Sequence, residues 1–432
     1  MSAAGKIRRN QLNSEVVVYE KGGTLSYGAC GLPYYVSNVI KDRNAMVART
    51  ADEFRTQGID VNLYHEVVGV DEANRFVTVK NLVTGETKTD NYDRLVVTSG
   101  AAAVVPPWPG VKLDNIFVLS NLEDGDRIKQ AAHHSSVRSV AVIGAGFIGV
   151  ELVESFLEIG KHVTLIELQN QILPGFDKEV VLPLQDELTL KGAVLKTGEQ
   201  VVKFEGGDRV ERVVTNNNSY GVDLVVVAVG VRPSTSFLDG TGVERLKNGA
   251  VIVDRNMRSN NPDIYSGGDC ATVYHRVLGR TDSYIPLGTN ANKQGRMIGD
   301  ILTGVPVNYQ GTLGTAMIKV CDMEAAKTGL TEKEAISGGI PYKAVTVTAE
   351  SHAAYYPDPQ PLHIKLVTCP ETKKILGAQI AGKEGAALRI DVLAMAVHTG
   401  MPAPELGLLD FGYSPPFAGV WDAVGIAANR VK

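Results

Sequence analysis

The chain has 432 residues and a net charge of −5, which gives no support for a nucleic-acid partner. Its length predicts two to four domains with ample core, and no apolar run approaches the roughly 20 residues of a membrane span. The cysteines are widely spaced, at positions 30, 270, 321 and 369. This spacing argues against structural zinc, so no metal site is expected, and it favours a reducing, cytoplasmic location over a disulfide framework.

The N-terminal segment predicts a helix, a strand and then a glycine-rich turn. The helix covers Met1–Leu12, and the strand covers 16–20 and ends in Glu20. Cys30 follows within residues 26–35, a segment that also holds two glycines and a proline. Backbone N–H groups in such a turn lower a thiol pKa and favour the nucleophilic thiolate. Considered alone, Cys30 is more often a buried, inert cysteine, and it is the rest of the chain that favours a reactive thiol.

Further strands precede a proline-rich linker. Residues 61–80 alternate in the manner of strands, with turns near 71–74 and 84–85. A short buried strand over 95–98 is closed by Ser99 and Gly100. Prolines at 106, 107 and 109 mark the linker.

A nucleotide-binding pattern begins at Ser139. A strand over 140–143 runs into Gly144-Ala-Gly146-Phe-Ile-Gly149, and a helix and a second strand ending in Glu167 follow. The glycines allow a tight turn and the close approach of a pyrophosphate, while the acid accepts hydrogen bonds from a ribose diol. Glu167 lies 18 residues after Gly149 (167 − 149), against roughly 20 expected. The complete order of elements predicts NADH binding rather than a βαβ unit without a nucleotide.

The second half of the chain predicts one more parallel strand pair and a separate domain. A strand over 224–229 ends at Gly230. Residues 262–273 predict a strand that ends in two glycines and an acid, Asp269, which suits either a polyol ligand or an ordinary turn. A helix opens within 286–296. The C-terminal segment predicts an antiparallel α+β domain with these elements: strands 344–348, 363–367 and 376–380, and a helix over 386–398.

The two nucleotide-type units differ at their beginnings. In the second, the first glycine precedes the acid by 23 residues (167 − 144), and the same offset from Glu20 falls at position −3. We therefore expect about ten residues, an apolar strand and a glycine-rich turn, before Met1 in the natural protein.

Taken together, these residues resemble the single-cysteine branch of the pyridine nucleotide-disulfide oxidoreductases, which holds coenzyme A-disulfide reductases, NADH oxidases, NADH peroxidases and persulfide reductases. The resemblance extends over the whole chain and is carried by these segments: Tyr19–Lys21, Cys30–Tyr35, Gly144–Gly149 with Glu167, Gly230–Pro233, Gly267–Asp269, Ala291–Gly295 and Tyr413–Pro416. Among them, Cys30–Tyr35 and Tyr413–Pro416, together with His352–Pro357, are most similar to coenzyme A-disulfide reductases.

The resemblance implies an α/β fold with two Rossmann-like three-layer domains, for FAD and NADH, and a C-terminal α+β dimerisation domain. The implied boundaries are 1–104 and 234–308 for the two parts of the FAD-binding domain, 105–233 for the NAD(P)H-binding domain and 309–432 for the dimerisation domain. A homodimer is implied, with a small-molecule disulfide, persulfide or peroxide as substrate and neither nucleic acid nor membrane as partner.

The implied activity is NADH-dependent reduction of a disulfide or persulfide through Cys30, with coenzyme A disulfide as the best substrate candidate. Tyr355 and Tyr413 would reach the cysteine from the partner subunit, and Arg9 would help hold coenzyme A. The implied cofactor-binding residues are Glu20, Lys21, Val67, Ser99, Gly100, Gly268, Asp269, Leu287, Ala291, Gly144, Gly146, Gly149, Glu167 and Gly230.

Two positions differ from those of coenzyme A-disulfide reductases and leave the choice of substrate open. Ala29 stands where coenzyme A-disulfide reductases often carry Asn, and Gln57–Gly58 lacks the basic residue that they tend to carry. One alternative is an NADH oxidase or NADH peroxidase that works through a Cys30 sulfenic acid. Another is an NADH-binding protein without turnover.

Overall fold

The structure is a computed structural model that describes residues 1–432. The α-helices are α1 Ser2–Asn10, α2 Leu32–Val36, α3 Ala51–Arg55, α4 Leu122–Ala132, α5 Phe147–Glu158, α6 Lys178–Leu190, α7 Gly288–Leu302, α8 Glu332–Ser337, α9 Ala386–Thr399, α10 Ala403–Leu406 and α11 Ala423–Asn429. None of these helices combines the length and the apolar character that crossing a membrane requires.

The strands are β1 Val17–Glu20, β2 Asp60–Leu63, β3 His65–Asp71, β4 Phe76–Asn81, β5 Thr87–Asn91, β6 Leu95–Val97, β7 Ala101–Ala103, β8 Ile116–Phe117, β9 Ser139–Ile143, β10 His162–Glu167, β11 Val194–Thr197, β12 Val201–Gly206, β13 Val210–Thr215, β14 Ser219–Gly221, β15 Leu224–Val227, β16 Val231–Pro233, β17 Ile264–Ser266, β18 Val273–His275, β19 Arg280–Ser283, β20 Ala316–Val320, β21 Met323–Gly329, β22 Lys343–Glu350, β23 Pro361–Thr368 and β24 Ile375–Gly382.

The chain divides into two compact units, each built from three segments. The first unit comprises residues 1–32, 40–103 and 231–312, and the second comprises 33–39, 104–230 and 313–432. A finer division of the second unit, into a nucleotide-binding part and a dimerisation part, stays a prediction.

In the first unit, two pairs of parallel strands expose their carboxyl ends. β1 pairs with β2 so that Glu20 lies opposite Leu63, and β6 pairs with β17 so that Val97 lies opposite Ser266. The strands β3, β4 and β5 form an antiparallel meander. Residues that follow the carboxyl ends of neighbouring parallel strands lie at one edge, where α/β proteins bind their ligands.

Helices α1 and α7 pack closely in the first unit because α7 carries two glycines one turn apart. A Cβ on Gly295 would lie 3.0 Å from Ser2 Cβ, and a Cβ on Gly299 would lie 2.6 Å from Lys6 Cβ. Lys6 also pairs with Asp300 of α7 at 3.1 Å. Any larger residue at these two glycines would push the helices apart.

The second unit contains a five-stranded parallel sheet in the order β11-β10-β9-β15-β8. The central strands β9 and β15 are almost entirely apolar and fully buried, as expected for a parallel sheet covered on both faces. Phe204, Val210 and Val213 of the β12–β14 meander complete the core on one side. This is the Rossmann-like arrangement that the sequence predicts around Gly144.

The same unit contains a five-stranded antiparallel sheet in the order β20-β21-β24-β23-β22. The three strands predicted after residue 309 lie within β22, β23 and β24, and the predicted helix corresponds to α9. The family resemblance and the structure thus agree on an α/β fold followed by an α+β domain.

A buried ion cluster joins α6 to this antiparallel sheet. The side chain of Lys365 on β23 is only 3% exposed, and its ammonium lies 3.2 Å from Asp177, 2.9 Å from Glu179 and 2.9 Å from Glu332. Gln379 of β24 donates to Asp177 at 2.7 Å. Burial opposes the charge of Lys365, but hydrogen bonds to Glu332 and Glu179 raise its pKa.

Local sequence patterns missed some elements and located others. The strand predicted within 262–273, ending in two glycines and an acid, corresponds to β17, which ends at Ser266 directly before the glycines at 267 and 268. Helix α6 was not predicted, and it contains Pro183 in its interior. The meander β12–β14 was not predicted either.

Candidate active site

Cys30 lies in a short 3-10 turn, Ala29–Gly31, that continues directly into α2. Among the cysteines, Cys30 is exposed, Cys270 is buried, and Cys321 and Cys369 are half-buried. The turn is anchored by Gly28, whose N–H donates to Met46 O at 2.9 Å. A Cβ on Gly31 would lie 3.1 Å from Ile40 Cδ1, so glycine lets the turn pack against the chain beneath it. The alternative of a buried Cys30 is therefore wrong.

The other three thiols have different surroundings. Cys270 packs among backbone carbonyls, with Val97 O at 3.4 Å. Burial, followed by the charges of Glu154 and Glu187, raises the pKa of Cys321 to about 12. Hydrogen bonds from the Thr372 side chain and backbone lower the pKa of Cys369, which lies outside the predicted site.

The glycine-rich turn between β9 and α5 has the shape that a dinucleotide pyrophosphate requires. Gly144 has φ +100°, and a Cβ on it would lie 2.8 Å from the Ala228 carbonyl carbon. A Cβ on Gly149 would lie 3.0 Å from Gly144 C, whereas Gly146 faces open space. Helix α5 begins after Gly146 with no side-chain cap. Its first N–H groups thus remain available to an anion, and the residues fit NADH.

Glu167 ends β10 at this turn and is 8% exposed. One carboxylate oxygen accepts from Ala145 N–H at 2.7 Å, and the other accepts from Gln169 N–H at 2.7 Å. Gly230, with φ +114°, follows the neighbouring strand β15. The predicted NADH residues therefore follow the carboxyl ends of β9, β10 and β15, as the fold requires.

Glu151 is a site candidate that the sequence reasoning missed. It lies in the first turns of α5, where burial, and then the charge of Glu154, raises its pKa to about 7. Ser155, four residues further along the same face, donates to the Pro33 carbonyl at 2.8 Å. Pro33 follows Cys30 by three residues in the chain. The available sequence signal was a pair of acids three residues apart, Glu151 and Glu154, within the mostly apolar segment that forms α5.

The predicted FAD residues of the first unit follow the carboxyl ends of β1, β6 and β17. Asp269 is half-buried: its backbone carbonyl accepts from the Tyr284 hydroxyl at 3.0 Å, its carboxyl accepts no hydrogen bond from the protein, and burial raises the pKa of that carboxyl. Gly268 has φ +81° and a Cβ on it would lie 3.5 Å from Ala291 Cβ. Helix α7 begins after Leu287, again with no side-chain cap. An unpartnered carboxyl beside an uncapped helix start fits a polyol phosphate such as FAD.

The remaining residues predicted to bind FAD in the first unit lie at the ends of β1 and β6 and within β3. Glu20 accepts from Gly22 N–H at 2.7 Å, and Lys21 pairs with Glu66 at 2.8 Å. Ser99 and Gly100, the latter with φ +66°, follow β6. Val67 lies on β3 immediately before a bulge.

Tyr355 and Tyr413 lie together in the second unit. Their hydroxyl groups are hydrogen-bonded to each other, and this bond raises the pKa of Tyr355. Both are exposed, and they line a pocket of about 390 Å³ together with His352 and Trp421. The two residues are 58 positions apart in the chain, and their predicted role at the cysteine of a partner subunit stays a prediction.

Arg9, the residue predicted to help hold coenzyme A, lies beside Arg8 near the end of α1. Arg9 is exposed. Arg8 donates to Gln57 O at 3.1 Å and to Ser14 O at 2.8 Å. The position at Gln57–Gly58, which has no basic residue of its own, is therefore occupied by the guanidinium of Arg8.

Comparison with known proteins places these features in one family. Residues 1–295 match the model described as pyridine nucleotide-disulphide oxidoreductase, and residues 315–424 match its dimerisation domain. The chain is 34% identical over 431 residues to an NADH oxidase of Enterococcus faecalis (99% of this chain, 96% of the relative). It is 34% identical over 433 residues to an NAD(P)H coenzyme A polysulfide/persulfide reductase of Pyrococcus horikoshii (100% and 96%).

A coenzyme A disulfide reductase of Staphylococcus aureus is 32% identical over 434 residues, with 100% of this chain and 97% of the relative covered. The solved structure of reduced CoADR-RHD from Bacillus anthracis matches with a TM-score of 0.96 and 35% identity, over 100% of this chain and 77% of that one. The chain therefore belongs to the pyridine nucleotide-disulphide oxidoreductase family and is an enzyme that uses FAD and NADH.

Proposed function

We propose that this enzyme reduces a small-molecule disulfide or persulfide with electrons from NADH, through Cys30, and that coenzyme A disulfide is its best substrate. The observation that carries the proposal is the position of Cys30, an exposed thiol in a helical turn. N–H groups at the start of a helix favour the thiolate, which is the nucleophile in disulfide exchange.

A single cysteine suffices for this reaction because the substrate supplies the second sulfur. The Cys30 thiolate attacks one sulfur of the disulfide, forms a mixed disulfide and releases the first thiol. Bound FAD supplies the two-electron carrier between NADH and sulfur. Reduction of the mixed disulfide regenerates the Cys30 thiolate and releases the second thiol, so that one disulfide, one NADH and one proton give two thiols and NAD⁺.

We further propose that the active form is a homodimer in which Tyr355 and Tyr413 serve the Cys30 of the partner subunit. The two hydroxyl groups would donate hydrogen bonds to a thiolate. Supporting this, the C-terminal part presents exposed apolar side chains that a partner copy could cover, among them Leu388, Met395 and Phe417. The family match to a dimerisation domain over 315–424 points the same way.

Two features support coenzyme A as part of the substrate. The guanidinium groups of Arg8 and Arg9 concentrate positive charge at the end of α1, as phosphate recognition requires. Relatives named for coenzyme A disulfide and for coenzyme A persulfide are about equally similar to the chain over its whole length. The four free cysteines further favour a reducing compartment, and we propose the cytoplasm.

The test is NADH consumption by the purified flavoenzyme with coenzyme A disulfide, polysulfide, hydrogen peroxide or oxygen as acceptor. We expect coenzyme A disulfide to give the highest kcat/KM, and Cys30→Ser to abolish its reduction while the bound flavin is still reduced by NADH. Cys369→Ser is the matched control, since Cys369 is also accessible but lies outside the site. Wild-type disulfide reduction by Cys30→Ser would contradict the mechanism.

A second candidate activity is oxidation of NADH by peroxide or oxygen, which the similarity to the NADH oxidase of Enterococcus faecalis favours. Peroxide would convert the Cys30 thiolate to a sulfenic acid and release hydroxide. In that case peroxide or oxygen would exceed every disulfide in kcat/KM, and a sulfenic-acid probe would label Cys30.

A further inference from the structure

Tyr64 is a single residue between β2 and β3 with an uncommon backbone conformation. Its φ is +56°, in the left-handed region that bulky residues rarely occupy. Two backbone hydrogen bonds hold it there: its N–H donates to Gly22 O at 3.3 Å, and its carbonyl accepts from Leu82 N–H at 2.8 Å. The direction in which the side chain leaves the backbone is therefore fixed by the fold.

The ring of Tyr64 lies against the turn that follows β1. A Cβ on Gly23 would overlap the Tyr64 hydroxyl and lie 2.9 Å from Tyr64 Cζ, so the absence of a side chain at Gly23 makes room for the hydroxyl end of the ring. The Tyr64 side chain is still 50% exposed, and its hydroxyl makes no hydrogen bond. The fold thus holds the Tyr64 ring in place beside a glycine turn, although the ring is not part of the protein's hydrophobic core.

This surface lies at the edge where the ribose of FAD is expected. In the register of β1 and β2, Glu20 is opposite Leu63, and Tyr64 is the next residue. One oxygen of the Glu20 carboxylate accepts from Gly22 N–H, and the other makes no hydrogen bond to the protein. An acid in this position accepts from a ribose diol. The base attached to that ribose must lie beside the residues that follow β1 and β2.

We propose that Tyr64 is a positioning residue for FAD, whose ring stacks on the adenine while Glu20 holds the adjoining ribose. Stacking between an aromatic side chain and a base depends on the π-face and not on the hydroxyl. This explains why an aromatic residue occupies a left-handed position that Asn or Gly would adopt more easily. The inference concerns cofactor affinity and holds whichever sulfur or oxygen substrate the enzyme reduces.

The experiment compares Tyr64→Ala, Tyr64→Asn and Tyr64→Phe in the full-length chain after removal of its flavin. FAD and ADP are the probes, with FAD binding followed by flavin fluorescence and ADP binding by calorimetry. We expect Ala and Asn to weaken the binding of both probes by about tenfold, and Phe to bind both as the wild type does. Asn is the informative control, because it tolerates the left-handed backbone and removes only the ring.

ADP separates the proposal from a general disturbance of the FAD site, since it lacks the flavin ring but keeps the adenine and ribose. If a variant apoprotein does not fold, the rate of FAD release from its holoenzyme on dilution gives the same comparison. Wild-type affinity for FAD and ADP in Tyr64→Asn, or a loss for FAD without a loss for ADP, would overturn the proposal.

Discussion

Glu151 should make the stability of this enzyme fall as the pH rises through neutrality. Burial and the charge of Glu154 raise its pKa from the ordinary value of 4.5 to about 7. In the unfolded chain the carboxyl loses its proton near pH 4.5, whereas in the folded protein it keeps the proton to about pH 7. Between these values the folded state binds more protons, so the free energy of unfolding decreases with increasing pH.

The size of the effect follows from the difference between the two pKa values. At about 1.4 kcal/mol per pH unit, ionised Glu151 costs the folded state about 3 kcal/mol above pH 7. Below pH 4.5 this cost is absent, because the carboxyl is neutral in both states. Glu151→Gln removes the ionisable group and should therefore be more stable than the wild type at pH 8.5, with the difference shrinking toward pH 5.

The assay is thermal unfolding of the FAD-bound enzyme at pH 5.5 and pH 8.5. For a chain of 432 residues, about 3 kcal/mol corresponds to a Tm difference of about 3 °C. Glu158→Gln is the matched control, since it removes an exposed carboxyl from the same helix. If Glu151→Gln changed Tm by the same amount at both pH values, Glu151 would be ionised in the folded state and the reasoning would fail.

Three other outcomes are expected. The enzyme should prefer NADH to NADPH by about tenfold to a hundredfold in kcat/KM, because a 2′-phosphate would meet the Glu167 carboxylate; equal values would count against that role. Heterodimers of Cys30→Ser and Tyr413→Phe chains should regain activity through one intact composite site, and inactive heterodimers would favour sites within one chain. Lys365→Met should lower the free energy of unfolding by about 3 kcal/mol in urea titrations, because Asp177 would remain buried without its cation; a neutral result would mean that Asp177 takes up a proton or water.

The parts of the site that the sequence predicted are those encoded by neighbouring residues. Gly144 and Gly149 could be interpreted because a side chain at either would clash locally, and Glu167 because its distance from them is set by one helix and one strand. The glycines on either side of Cys30 indicated that it lies in a tight turn. In each case the signal lies within about 30 residues, the length of one βαβ unit.

The parts that the sequence did not reveal depend on contacts between distant segments. Asp177 and Gln379 are 202 positions apart, and nothing near either residue indicates the other. Tyr64 escaped notice for a different reason, since a left-handed conformation is predicted from Gly or Asn and not from Tyr. Glu151 carries an unusual proton affinity only because the surrounding chain removes it from water.

The distant contacts also explain why the NADH-binding residues and the antiparallel sheet fall within one compact unit. The turn between β20 and β21 reaches α5, where Lys319 pairs with Glu154 and Cys321 N–H donates to the same carboxylate at 2.9 Å. Lys191 at the end of α6 pairs with Asp322 at 2.5 Å. Helix α5 begins at Gly146, in the turn that suits a pyrophosphate. The C-terminal sheet therefore holds in place the helix whose first N–H groups lie at the glycine-rich turn predicted to bind NADH.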